Sequence, residues 1–351
     1  MKVVVAGAGI AGLAAAWELT QNGGHEVLVL ESERRAGGAI VTELRDGCLI
    51  EGGPDGFLGG EPELPQLANE LGIGEHIVRQ NARGTSLWNG VELSPIDDGK
   101  AAALLGIDAP LSQVAKGFRS FAAGMGELVA ALTERLGGAS VRYAQGVAGL
   151  IPAGNGWRIP ITGGSTHDAD AVVLALPAYS AGRLLEAAGV PHARALADVV
   201  YAPSVTVSLV YPDMHLSNRL EGAGFVVESP KHLRACTYAS AKFPRRAPPG
   251  HVLLRAYLAP GDDDPAQVAH AELTTILGIR GEPLWSRVFY WNRGLPRYRA
   301  HHAEHVADVR ERLKRLPPLA IAGAGYDGAG VSACVRSGRA AGHLIAQLTA
   351  R

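Results

Sequence analysis

Cysteine is scarce in this chain: 351 residues hold three, Cys48, Cys236 and Cys334. They are odd in number, far apart and without Cys-x-x-Cys spacing. This disfavours a disulfide framework and a structural zinc site, and a reducing cytoplasm fits best. A surplus of charge is missing too. Lys and Arg number 33 against 34 for Asp and Glu, a net charge of −1, so bulk electrostatics call for neither nucleic acid nor an anionic membrane surface. No segment approaches the roughly 18 uninterrupted apolar residues of a membrane span. Met1-Lys2 runs straight into Val3-Val4-Val5, which leaves no room for a signal peptide, so a soluble chain is expected.

Glycine, by contrast, is abundant, with 45 residues, and its placement is informative. The stretch 3–31, VVVAGAGIAGLAAAWELTQNGGHEVLVLE, reads as a buried strand, a glycine loop, an alanine-rich helix stopped at Gly23-Gly24, and a second strand ending in Glu31. Gly7 permits the tight turn, Gly9 lets a pyrophosphate come close, and Gly12 lets the helix pack on the strand. Glu31, 19 residues after Gly12, has the spacing of an acid that accepts from ribose hydroxyls. A carboxylate there disfavours a 2′-phosphate and hence NADP. Such a bare glycine pattern is weak evidence, but strand, loop, helix, strand and acid together point to dinucleotide binding.

Two further features favour FAD over NAD. The second strand is followed by Arg35, Gly37-Gly38 and Glu51-Gly52-Gly53-Pro54-Asp55, more phosphate-approaching glycine than an NAD domain needs. A second glycine loop, AIAGAGYDGAG at 320–330, stands near the end, with glycines at 323, 325 and 328. Only 23 residues follow Gly328, too few for another βαβ unit. That loop must serve a site built elsewhere.

The stretches LESERRAGGAIVT and IEGGPDGFL resemble the protoporphyrinogen/coproporphyrinogen oxidase branch of the flavin amine oxidase superfamily. FRSFAAGMGELVAAL, DAVVLALPA, FPRRAPPGHVLLRAYL, WNRGLPRYRAHH and IAGAGYDGAGVSACVRSGRAAGHLI agree in order. The resemblance covers nearly the whole chain except about 95–117. It implies an α/β fold, a Rossmann-like FAD-binding domain interleaved with a smaller β-sheet-based substrate domain, and FAD lying extended between the two glycine loops. Gly7, Gly9, Ile10, Ala11 and Gly12 are then expected on the pyrophosphate, Glu31 and Ser32 on the adenosine ribose, and Arg35 on the adenosine side. Gly38, Ala39 and Gly53-Pro54-Asp55-Gly56 fall near the ribityl chain and isoalloxazine. Val147 matches a backbone contact to adenine, Gly323 belongs to the closing loop, Ala329, Gly330 and Val331 meet the flavin end, and Trp291 approaches the ring.

The implied activity is oxidation of a porphyrinogen-like small molecule, as in tetrapyrrole and heme biosynthesis, by hydride transfer to flavin with molecular oxygen as acceptor. An amine oxidase, a desaturase, or a flavin-binding partner protein without oxidase activity remain alternatives. No catalytic acid or base is singled out. The chain departs from the family in one place: only 22 residues lie between Pro95 and Phe118, where relatives carry a long helical insertion that walls the substrate cavity. Either a second subunit or partner covers the flavin, or porphyrinogen turnover is weak; stable membrane insertion is not expected.

The FAD-binding domain is assigned 1–90, 118–182 and 300–351, and the substrate domain 91–117 and 183–299. Helices are expected at 62–71, 125–136, 178–187, 303–315 and 331–348, and strands of a second sheet at 204–213, 222–228, 251–259 and 285–291. The segment 87–93, with Asn89-Gly90 at its turn, joins that sheet as a hairpin. His301, His302 and His305 read as an exposed helix start rather than a metal site. Ser332 and Cys334 read as small residues packing a helix N-terminus rather than as a nucleophile, and Arg245-Arg246 as surface residues rather than holders of a substrate carboxylate.

Overall fold

The computed structural model describes residues 1–105, 111–137, 140–217, 220–261 and 263–349. A five-stranded parallel sheet is assembled from distant parts of the chain, in the order Val141–Arg142, Glu26–Leu30, Lys2–Ala6, Ala171–Leu174, Leu319–Ile321. Its inner strands are continuous Val, Leu and Ala runs with almost no exposure, as a sheet covered on both faces requires. On one face lies the first helix, Ile10–Gln21, and against it packs the C-terminal helix, Val331–Thr349. Their approach is close because glycines meet backbone. A Cβ on Gly338 would lie 2.1 Å from the Ala11 carbonyl oxygen, and one on Gly342 2.7 Å from that of Ala15. The opposite face is covered by the small sheet Ile151–Ala153, Gly156–Pro160, Thr166–Ala169 and by the helices Ala178–Ala187 and Arg194–Ala197.

The second sheet has seven strands, ordered Trp285–Arg297, Val200–Pro212, His251–Leu258, Leu233–Thr237, Gly224–Val227, Thr85–Trp88, Leu93–Ile96. Side chains alternate across it. Val205, Val207, Leu209 and Tyr211 face the helix Pro265–Leu277, while Thr206 and Ser208 face the stretch around Glu51 and Gly52. The expected hairpin forms, with Leu87 opposite Ser94. Its first strand pairs in parallel with Gly224–Val227, so Thr85–Trp88 sits in the second sheet although it precedes residue 90. Leu185, Val190, Ala193 and Leu196 pack with Val4, Leu174 and Leu319 of the first sheet.

All five expected helices are present, at Glu63–Glu70, Gly126–Leu136, Ala178–Ala187, His302–Leu313 and Val331–Thr349. The helix Pro265–Leu277 was not expected from the sequence, although its ends carry the usual signals. Asp264 caps it by accepting from the Ala266 N–H, Pro265 opens it, and Gly278 closes it in the left-handed conformation. In the short segment before Phe118, the helix Asp98–Leu105 packs on Thr85–Trp88 and Gly224–Val227. Part of that segment, 106–110, lies outside the described residues.

Candidate functional site

The first helix begins without a capping side chain and with no acidic residue in its first turn. Its leading N–H groups therefore lack side-chain partners, and the positive end of its dipole is uncompensated, a combination suited to an anion. Gly7 makes the turn before it with φ +99°. A Cβ on Gly12 would fall 1.9 Å from the Gly7 carbonyl oxygen, so only glycine lets the helix sit on the loop. Ile10 and Ala11 are buried beneath. Gly9 differs: a Cβ built there meets nothing within 4 Å, so the space in front of the helix start is open.

Glu31 ends the second strand beside this loop and is buried. Its Oε2 accepts from the Ala8 N–H at 2.7 Å; Oε1 accepts from the Glu33 N–H at 2.9 Å and from the Ser32 hydroxyl at 3.2 Å. A carboxylate accepts about four hydrogen bonds, so one site stays free for a ligand hydroxyl. Val147 and its neighbours lie alongside, since the Gln145 N–H donates to the Glu31 carbonyl and a Cβ on Gly146 would lie 3.2 Å from that of Ser32.

Arg35 sits in the next loop, exposed, and folds back onto it. Its guanidinium donates to the carbonyls of Ala36, Gly38 and Ile40, fixing the 36–40 loop, which in turn docks when the Gly37 N–H bonds Ala8 at 2.8 Å. A Cβ on Gly38 would lie 3.3 Å from Gly9, and one on Gly53 would fall 1.7 Å from the carbonyl oxygen of Ala39. The stretch Gly53-Pro54-Asp55-Gly56 is thus pressed under the glycine loops.

The C-terminal loop comes to the same place. A Cβ on Gly323 would lie 3.8 Å from that of Ala11, next to the first helix. A relay holds it: Arg310 grips both oxygens of Asp327 at 2.8 and 2.6 Å, Asp327 accepts from Ser337 at 2.8 Å, and Ser337 accepts from the Gly323 N–H at 3.1 Å. Burial alone would raise the Asp327 carboxyl, but Arg310 and Ser337 hold it below the usual range. Ala329, Gly330 and Val331 lead into the C-terminal helix, which has no acidic residue in its first turn. Gly330, like Gly9, faces open space. Ser332 is fully buried with its hydroxyl unpartnered, and burial pushes the neighbouring Cys334 thiol up to about 12, which removes it as a nucleophile. Among the described residues no group of His, Cys, Asp and Glu is arranged to hold a metal.

The second sheet supplies what the sequence reading missed. The Gly52 carbonyl accepts from the Trp291 indole at 2.9 Å, the Thr206 hydroxyl at 3.1 Å and the Arg255 guanidinium at 3.2 Å; Arg255 also donates to Gly53. Trp291 thus lies against the Gly52–Gly53 stretch. Arg246 is a correction: it is 2% exposed, not a surface residue, and donates to Ser120 and Phe121, while its neighbour Arg245 is exposed. Lys242, also buried, pairs with Asp55 at 2.8 Å. Burial would raise the Asp55 carboxyl, but Lys242, Arg255 and Arg246 keep it lowered and charged. No motif marks these residues: Arg255 stands 203 positions from Gly52 and Lys242 187 positions from Asp55.

Burial pushes the Glu51 carboxyl up to about 7, against hydrogen bonds from Thr42 and Met125 and the charges of Arg246 and Arg255. The folded state thus binds this proton more tightly than the unfolded chain, whose Glu titrates near about 4.3. Its stabilisation is complete at low pH and is lost as pH rises through about 7. Between about pH 5.5 and about pH 8 the loss is about 2 kcal/mol. Glu51→Gln should remove that slope. Urea unfolding at both pH values checks it, and equal slopes in the two proteins would contradict it.

The arrangement fits an extended dinucleotide: two helix N-termini without acids, open space before Gly9 and Gly330, and a carboxylate with one acceptor site left. The family model for flavin containing amine oxidoreductases matches residues 10–89 and 81–345. The chain belongs to that family. It is an FAD-dependent oxidoreductase. It is 25% identical over 457 residues to the coproporphyrinogen III oxidase of Bacillus subtilis, covering 97% of this chain and 96% of the relative. That alignment is longer than the chain itself, so the relative carries segments this chain lacks. The human protoporphyrinogen oxidase is 32% identical over 229 residues, 60% of this chain and 47% of that protein. Among solved structures, a protein of Exiguobacterium sp., provisionally assigned as a protoporphyrinogen oxidase, superposes with a TM-score of 0.83 at 24% identity, over 99% of this chain and 98% of the other. No helix among the described residues is long and apolar enough to cross a membrane.

Proposed function

We propose that this FAD-dependent oxidoreductase is an oxidase of the porphyrinogen type, acting in tetrapyrrole synthesis with molecular oxygen as acceptor. The observation that carries the reading is the polar and aromatic face of the second sheet, Trp291, Thr206 and Arg255, closing directly on the Gly52–Gly53 stretch beside the two glycine loops. Full-length similarity to coproporphyrinogen III oxidases supports it. The pyrophosphate is assigned to Gly7, Gly9, Ile10, Ala11 and Gly12, the ribose to Glu31 with Ser32, adenine to Val147, and the flavin end to Ala39, Gly53–Gly56, Trp291 and 329–331. Arg35 acts by fixing the 36–40 loop, and Gly323 by seating the closing loop. Bound FAD supplies the hydride acceptor. The chain's residues hold that cofactor, orient the substrate against the second sheet and exclude water. The two sheets are the cores of the cofactor and substrate domains, with the Thr85–Ile96 hairpin in the latter. Cys48, Cys236 and Cys334, all buried and unpaired, accord with a cytoplasmic setting.

The test is anaerobic flavin reduction by coproporphyrinogen and protoporphyrinogen, beside a simple primary amine, with mass from light scattering. Saturable reduction by a porphyrinogen alone is expected, slowed because 22 residues replace a wall that would cover a broad, flat substrate. An oligomer that covers the flavin would relieve that slowing. Reduction by the amine alone would overturn the porphyrinogen reading in favour of an amine oxidase.

A further inference from the structure

Among the described residues five side chains of Asp, Glu, Lys and Arg are buried, and four of them, Glu51, Lys242, Arg246 and Arg255, gather behind the Gly52–Gly56 stretch with half-buried Asp55. Their charges do not balance. Asp55 is matched by Lys242 at 2.8 Å. Arg246 and Arg255 are hydrogen-bonded by neutral oxygens only, those of Ser120, Phe121, Ala122, Gly52 and Gly53, and Nε of Arg255 has no hydrogen-bond partner. Glu51 is hydrogen-bonded to Thr42 and Met125 rather than to either guanidinium. Buried cations in excess of their counter-ions are costly, and further negative charge nearby offsets that cost. The cavity between them, about 10 Å³, has room for a single water and for no anionic ligand of its own. Negative charge beyond that of Glu51 and Asp55 has room only across the Gly52–Asp55 backbone, where Arg255 reaches the carbonyls of Gly52 and Gly53.

We propose that Lys242, Arg246 and Arg255 form a charge-tuning group for the flavin, their surplus positive charge stabilising its reduced, anionic form. Taking up two electrons and one proton turns a neutral oxidised ring into one bearing a single negative charge, so nearby cations favour reduction. Arg246 and Arg255 also hold backbone, so the informative changes are at the Asp55–Lys242 pair, which can be altered by one charge at a time.

The experiment measures the midpoint potential of the FAD-loaded protein by anaerobic titration against a reference dye, without substrate. Lys242→Met is expected to lower the reduced-to-oxidised ratio at a given potential at least tenfold, about 30 mV for a two-electron couple. Asp55→Asn, which is isosteric, is expected to shift it the other way. The double variant, whose net charge is that of the parent, should return close to the parent potential. A purely structural role would change FAD affinity without this ordering by charge. Unchanged potentials in the single variants, or shifts of the same sign in both, would overturn the proposal. If Lys242→Met does not fold, Asp55→Asn decides alone: an upward shift supports the proposal and no shift overturns it. Because no porphyrinogen is used, the outcome is independent of the substrate reading.

Discussion

Gly338→Ala should loosen the C-terminal helix from the first helix and weaken FAD binding together with stability. The added methyl would lie 2.1 Å from the Ala11 carbonyl oxygen, a backbone atom that cannot rotate away. Overpacking a tight contact costs roughly 1–3 kcal/mol, and here the strain falls at the base of both glycine loops. Gly342→Ala, whose methyl would lie 2.7 Å from the Ala15 oxygen, should be milder. Urea unfolding and FAD titration of the two variants check the order. A Gly338→Ala protein as stable as the parent, or less affected than Gly342→Ala, would mean that the helices are not held together as described.

Glu31→Ala should weaken FAD by at least about tenfold, since a charge-assisted hydrogen bond contributes roughly 1.5–3 kcal/mol. The structure adds a second route to the loss. The carboxylate also ties Ala8, Ser32 and Glu33 to the end of the strand, so the alanine variant frees the loop before the first helix as well as the ribose. Glu31→Gln separates the two routes. Its amide oxygen can still accept one backbone N–H, so it should retain more of the loop's order while losing the charge. Fluorescence titration with FAD gives the affinities; the parent value in Glu31→Ala would remove Glu31 from the site.

Where chemistry is local, the sequence was readable. The strand Val3–Ala6, the loop to Gly12 and the acid at 31 lie within one βαβ unit, and each residue's placement follows from steric and hydrogen-bonding needs within about 30 positions. The late glycine loop was readable by elimination, because a loop with no strand after it must serve another site. The charged group behind Gly52 was not. Lys242 ends the short helix Ala239–Lys242, Arg246 lies in the loop after it and Arg255 on the strand His251–Leu258, and only the folded chain turns all three toward Glu51 and Asp55. Arg246 illustrates the error: an arginine beside two prolines reads as surface, yet carbonyl and hydroxyl oxygens from 120–121 make its burial tolerable. The helix Pro265–Leu277 was missed for a different reason. Its apolar positions are interrupted by His270, Glu272 and two threonines, which blurred the period, although Asp264-Pro265 and Gly278 marked both ends.

The central claim is that glycine loops from opposite ends of the chain form one FAD site, and Gly330→Leu and Gly9→Leu test it most directly. At both positions the Cβ of a new side chain enters open space, with no heavy atom within 4 Å apart from the chain neighbours, so each variant is expected to fold with close to the parent's unfolding midpoint in the absence of cofactor. Each should nevertheless lose stoichiometric FAD binding in a fluorescence titration, because the space before both helix starts is where the cofactor lies. FAD bound by both variants with the parent's affinity would contradict the account.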